Sequence, residues 1–282
     1  MRTYRAPHRG PAHRFGVALT AGALVLATAS CAAAGAGTRT VDNADTLVIG
    51  VARPLHGNEG SGAVSTFDAK VAGYIGKRLG HGRPVEVKPV TEHGDPARTL
   101  RDTGADMVID ARAITPERKR GVLFAGPYYV GHDDILVRSG DTAITGLRDL
   151  AGKRLCRVRG GATWQRVSKL GGIAAKPVDA PDYDRCVQML RDGELDAVTT
   201  DDLVLAGYVN ESKGALRVVN APFSDERYGV AVRGGDAAGC AAVNRAITSM
   251  YEDATAQLLL ADNFGDSGLE TGTEVPQFEG CS

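Results

Sequence analysis

The sequence predicts an α/β protein built as two similar lobes, and three observations predict it. Short β-branched runs alternate with segments of helical spacing, the order expected of parallel sheets joined by right-handed crossovers. One phrase returns: "DTGADMVIDA" and "RDGELDAVTTDD" each carry a helix-stopping Gly, then an Asp, an apolar strand and an acid at the strand's carboxyl end. Finally, "DILVRSGD" (Asp134 to Asp141) and "YGVAVRGGD" (Tyr228 to Asp236) are apolar segments ending in Gly-bearing turns. They sit where a chain passing twice between lobes would cross.

The elements follow in order. "TLVIGVA" (Thr46 to Ala52) is a buried strand by length and composition. After a Gly-rich loop, Phe67, Val71, Tyr74, Ile75 and Leu79 stand at helical spacing, with Ser65 or Thr66 as the expected cap and Gly80 as the stop. "PVEVKPV" alternates as a strand, "DPARTLRDTG" is a short helix ended by Gly104, and "ADMVIDA" is a strand again. "LAGKRLCRVRGGATW" and "CVQMLRDG" supply a strand and a helix of the second unit, which "LDAVTTDD" closes. The stretch from Ala241 to Gly265 reads as one amphipathic helix that packs back on the first lobe. At about 150 residues per domain, the length allows one large or two modest lobes.

The N-terminus specifies a compartment. Arg2, Arg5, Arg9 and Arg14 precede the apolar run Phe15 to Ala27, which is too short for a stable membrane span. Residues 1–30 read as a lipoprotein signal peptide ending in "TASC", with Cys31 acylated and anchored to the outer face of the cell membrane. Thr28 stands where such boxes usually carry Leu. Residues 31–45 read as a flexible tether. The formal charge is −1, and cleavage would remove four arginines and no acid. The resulting acidic body argues against nucleic acid as a partner.

Cys156, Cys186, Cys240 and Cys281 make an even set in an oxidising compartment, which predicts two disulfides. Three pairings are possible. Cys156–Cys186 and Cys240–Cys281 are favoured because each falls within one expected lobe. The lobes are expected as 46–134 plus 233–282, and 135–232. No CxxC, HExxH, GxSxG or P-loop is present, so neither metal nor cofactor is expected.

With these pieces in place, the chain resembles the extracellular solute-binding proteins of family 3, the polar amino-acid receptors of ABC importers. Among these it is most similar to the glutamate-binding lipoproteins of actinobacteria. The resemblance rests on "FDAKVAGYIGKRLG", "DMVIDARAITPERKRGVLFAGPYY", "DLAGKRLC", "LDAVTTDDLVLAG", "YGVAV" with its following "GGD", and "VNRAITSMYED", in the family's order. It implies a periplasmic-binding-protein-like type II fold: two α/β lobes, two hinge strands and a ligand in the cleft between them. A permease would be the partner, and the protein would act as a monomer.

The resemblance also implies the site. A free amino acid needs a fixed cation, a fixed anion and oriented dipoles, because either of its charges is costly to bury alone. Arg118 of "TPER" matches the family's carboxylate clamp, on a short helix opened by Pro116 and Glu117, with Lys119 and Arg120 solvated. Asp201 matches the acid that receives the ligand's ammonium, or serves as a helix cap. Asp202 beside it would act as a cap or hinge contact. Gly161, Ala162 and Thr163 of "RGGATW" match a loop that completes the carboxylate cage. Ala111 and Ala113 stand where relatives carry small hydroxylated residues, and Ala162 departs from the pattern in the same way. Each missing neutral hydrogen bond weakens binding by about 1 kcal/mol. Arg159 and Arg112 would add positive charge for an acidic ligand. His56 to Glu59 and Phe67 lie near the expected mouth of the cleft by order, with a core position the preferred reading for Phe67. The expected function is capture of a glutamate-, aspartate- or glutamine-type ligand for import. A ligand sensor is the alternative. Catalysis is not expected, because His56, His81, His93 and His132 fall in no catalytic motif.

Overall fold

The computed structural model describes residues 39–52, 61–91, 94–159, 162–170 and 172–281. The expected signal peptide, the expected lipidation site Cys31, the loop His56 to Glu59, His93 and Gly161 lie outside the described residues.

Strand β1 (Leu47–Ala52) pairs in parallel with β2 (Val85–Val90) and β3 (Met107–Ala113). Helix α1 (Ser61–Gly80) connects β1 to β2, and α2 (Pro96–Thr103) connects β2 to β3. α1 begins earlier than its hydroxyl residues suggested. Thr66 bonds back to the Gly62 carbonyl inside the helix, and Ser65 Oγ reaches the Ala52 carbonyl at 3.4 Å. α2 starts as its sequence dictates: Asp95 accepts from the Arg98 amide at 3.0 Å, and Gly104 closes the helix at φ 67.

The first sheet is completed by two long strands, β4 (Val122–Gly131) and β10 (Glu226–Arg233), giving the order β2-β1-β3-β10-β4. β10 runs antiparallel to both neighbours, with a bulge between Tyr228 and Val230. Gly229 sits in that bulge, where a Cβ would lie 2.5 Å from Ile114 Cδ1.

The second lobe repeats this plan. β5 (Asp133–Arg138) lies antiparallel between β8 (Val198–Asp201) and β9 (Leu216–Val218). β6 (Arg154–Val158) pairs in parallel with β7 (Lys176–Ala180), and a parallel bridge from Leu155 to Ala197 joins that pair to β8. The order β7-β6-β8-β5-β9 therefore matches β2-β1-β3-β10-β4 strand for strand. This gives the repeated phrase its structural meaning: β3 and β8 occupy the same place in their respective lobes.

Helix α3 (Ala162–Gln165) continues into a π-turn through Leu170, followed by α4 (Tyr183–Arg191) and α5 (Asp202–Glu211). The expected C-terminal helix is two helices, α6 (Ala237–Glu252) and α7 (Thr255–Phe264). They break where Ala254 takes φ 61. The disulfides are Cys156–Cys186 and Cys240–Cys281, the favoured pairing. The main core takes residues from α1, α5, α6 and α7, with Phe67, Tyr128, Tyr129, Tyr228 and Phe264 in contact at its centre.

Three boundaries differ from the sequence reading. Glu226–Arg233 belongs by pairing to the first sheet, and Asp133–Arg138 is the central strand of the second. The crossings are therefore shorter than expected. They meet at His132 and Asp133 against Phe223 and Ser224: the Phe223 amide donates to the Asp133 carbonyl at 3.0 Å, and the Asp133 amide to Ser224 Oγ at 2.8 Å. The tether also ends sooner. Arg39 bonds the buried Asp106, Val41 is fully buried, and the Val41 amide donates to Asp236 at 2.7 Å.

Candidate functional site

The site is assembled at the carboxyl ends of β3 and β8, where parallel sheets present loops and helix starts. In the first lobe β3 runs out through Asp110, Ala111, Arg112 and Ala113 into a turn spanning Thr115 to Arg120. The expected short helix is a set of turns, in which the Arg118 amide donates to Thr115 Oγ1 at 3.3 Å.

This turn carries Arg118 back under the strand end, where only 8 % of it is exposed. One terminal nitrogen, Nη1, donates to the carbonyls of Arg112 (2.9 Å) and Ala113 (3.0 Å). The other, Nη2, ion-pairs with the buried Asp110, and the guanidinium lies over the Phe124 ring at 5.5 Å. Its Nε–H is buried with no partner among the described residues. Of the two neighbours expected to be solvated, Lys119 is exposed and also pairs with Glu279. Arg120 is exposed.

Behind the strand end, α1 supplies Asp68, which is 2 % exposed and accepts from the Tyr128 hydroxyl at 2.7 Å. Burial drives the Asp68 carboxyl up to about 7, against the pull of that hydroxyl and with nearby Asp110 adding to the rise. Tyr128 is itself pushed well above its usual value by burial, then by Asp68, Asp110 and Asp201. The first-lobe acids and Asp201 therefore act on one phenol.

In the second lobe, Asp201 ends β8 directly across from Asp133 on β5. It caps α5 by accepting from the Leu203 amide at 3.2 Å, so the cap role is real. Burial, together with Asp202 and Asp133, pushes Asp201 well above the carboxylate range. Asp202, the first residue of α5, accepts from the Tyr129 hydroxyl at 3.1 Å. Burial raises Asp202 to about 7, although nearby His132 opposes the shift.

Asp133, 1 % exposed, is held from α3 and the π-turn: Thr163 Oγ1 donates at 3.2 Å, and Arg166 ion-pairs with it. Arg166 also reaches Glu226 at 2.9 Å, tying the second lobe to the start of β10.

The expected residues thus fall into two groups. Arg118 and the Ala113 carbonyl come together in the first lobe, with half-buried Ala111 packing on the main core. Thr163 and Asp201 come together around Asp133 in the second. Ala162 and Arg159 are exposed. Arg159 lines a separate pocket of about 780 Å3 with Arg157, Trp164 and Asp179, in which Arg157 stacks on Trp164 and pairs with Asp179 at 2.5 Å.

Sequence reasoning missed Asp110 as the partner of Arg118, and it missed Asp68, Asp133, Arg166 and Glu226 altogether. A signal existed for two of them. Asp68 interrupts the buried face of α1, and the doublet Asp133–Asp134 opens an otherwise apolar strand. Among the described residues no cluster of His, Cys, Asp and Glu is placed to hold a metal ion.

The family model "Bacterial extracellular solute-binding proteins, family 3" matches residues 47–266. The glutamate-binding protein GluB of Corynebacterium glutamicum is 34 % identical over 224 residues, covering 75 % of each chain. The ABC transporter glutamine-binding protein GlnH of Bacillus subtilis is 29 % identical over 211 residues, covering 74 % of each. Among solved structures, an ancestral arginine-binding protein bound to arginine is similar, with a TM-score of 0.57 and 31 % identity over 79 % of this chain and 99 % of that one. The chain belongs to the bacterial extracellular solute-binding proteins of family 3.

Proposed function

We propose that the protein captures a polar amino acid between its lobes and delivers it to an ABC permease at the outer face of the membrane. One observation carries this reading. Arg118 is nine-tenths buried at the end of β3, yet its Nε–H has no partner among the described residues. A buried charged donor left unpaired is costly, and a ligand carboxylate would satisfy it with a charge-assisted bond. Asp201, at the equivalent strand end of the other lobe, would take the ammonium. Thr163 and the backbone around Gly161 and Ala162 would close over the ligand, with Ala111 and Ala113 lining the opposite wall. The paired crossings at 131–133 and 223–226 would serve as the hinge. In this reading Cys31 is the lipid anchor and the role is binding without catalysis. GluB and GlnH support an amino-acid ligand and an importer.

The test is titration calorimetry with the common amino acids, on wild type and Arg118→Lys. Lysine keeps the charge but cannot form the planar fork. At least one amino acid should bind the wild type, and the variant should bind it at least tenfold more weakly. An unchanged affinity in Arg118→Lys would remove Arg118 from the site.

A further inference from the structure

We infer that the ligand this cleft prefers carries a net positive charge, a basic amino acid or a related amine, rather than glutamate or aspartate. The inference rests on the solute-receptor reading above and concerns the charge of the same site.

In the first lobe, Arg118 already holds an internal carboxylate. Asp110, 2 % exposed, occupies Nη2, and the Arg112 and Ala113 carbonyls occupy Nη1. What remains for a ligand is the Nε–H side, next to a fixed negative charge. Arg118 and Asp110 together carry no net charge, so this edge can take the ligand's own carboxylate but offers no surplus cation for a second, side-chain anion.

The second lobe has the same sign. Asp133 and Asp201 face each other across β5 and β8, Asp202 follows in the chain, and Glu226 lies across Arg166. Against these four carboxylates stands one guanidinium among the described residues, Arg166, spent on Asp133 and Glu226. His132 presents Nδ1 to the Ser224 carbonyl at 2.6 Å and to exposed Asp225 at 3.2 Å. Burial raises Asp68, Asp201 and Asp202, the first and last to about 7, so these three carry charge only as the pH rises. Omitting all three still leaves Asp110, Asp133 and Glu226 against Arg118 and Arg166 among the described residues. Among the described residues, the other arginines near these strand ends are engaged elsewhere or outward: Arg157 pairs with Asp179, exposed Arg159 acts on the same carboxylate, and Arg112 is exposed. A zwitterion leaves this balance unchanged, an acidic amino acid worsens it and a basic one relieves it.

The experiment is titration calorimetry of the full-length protein at pH 7.5 with L-arginine, L-lysine, agmatine, L-glutamine and L-glutamate. Arginine, lysine or agmatine should bind at least tenfold more tightly than glutamate. Glutamate binding as tightly as arginine and lysine, or more tightly, would overturn the inference while leaving the solute-receptor reading intact. Binding of agmatine without any amino acid would support the inference and remove the amino-acid reading. Binding of none of the five would overturn both. Asp110→Ala, which frees Arg118, should shift the glutamate-to-arginine affinity ratio at least tenfold toward glutamate. Asp110→Asn keeps an acceptor for Nη2 and should shift it the same way. An unchanged ratio in both variants overturns the inference.

Discussion

The Asp68–Tyr128 pair offers a stability test that needs no ligand. Asp68 is buried on the inner face of α1, and its carboxyl titrates near 7 in the fold, against about 3.9 in an unfolded chain. Between those values the folded protein holds a proton that the unfolded chain has released, so stability must fall as pH rises from about 4 to about 7 and then level off. At about 1.4 kcal/mol per pKa unit, the cost of ionisation is about 1.5 kcal/mol at pH 5 and about 4 kcal/mol at pH 8. Asp68→Asn has no charge to bury and keeps an oxygen to accept from the Tyr128 hydroxyl. Relative to wild type it should therefore gain about 2.5 kcal/mol between pH 5 and pH 8. For a body of this size that is roughly 5–10 °C in Tm. Differential scanning calorimetry of both proteins at the two pH values measures it. Parallel pH dependences for wild type and Asp68→Asn would refute the assignment of this proton to Asp68.

Two further predictions concern buried ion pairs. Arg166→Met removes the only guanidinium on Asp133 and Glu226 among the described residues, and should destabilise the protein by about 3–5 kcal/mol at pH 7, measured by urea unfolding. Asp106→Ala leaves the Val48 amide without its 2.9 Å acceptor and releases Arg39. It should lower stability by about 2–3 kcal/mol and increase proteolytic cleavage near residues 39–45.

The fold was largely legible because its helices and parallel strands carry their own stop signals. Gly104 and the cap Asp95 fix α2, and Gly80 ends α1. The strand β4 was not, because Gly126 and Pro127 interrupt an apolar aromatic run that only pairing with β10 makes into a ladder. The break between α6 and α7 rests on Ala254 adopting a left-handed conformation that its sequence does not announce. The packed end of the tether depends on the Arg39–Asp106 pair, whose members lie 67 residues apart.

The site divides in the same way. Arg118 and Asp201 are named by motifs alone. The partners that set the electrostatics come from tertiary placement: Asp133 meets Asp201 through strand register, Arg166 reaches it from a π-turn, and Asp110 finds Arg118 because a turn folds back under β3. Alternation put Asp110 on the face away from Ala111 and Ala113, and nothing local shows that Arg118 would reach it there.

The measurement that tests the central claim most directly is titration calorimetry of the full-length protein and Asp201→Asn with the amino acid that binds wild type most tightly. Asparagine still caps α5 but cannot balance an ammonium. The account predicts binding to wild type and at least a tenfold loss in Asp201→Asn with folding intact. Equal affinities in the two proteins would contradict a ligand held between Arg118 and Asp201.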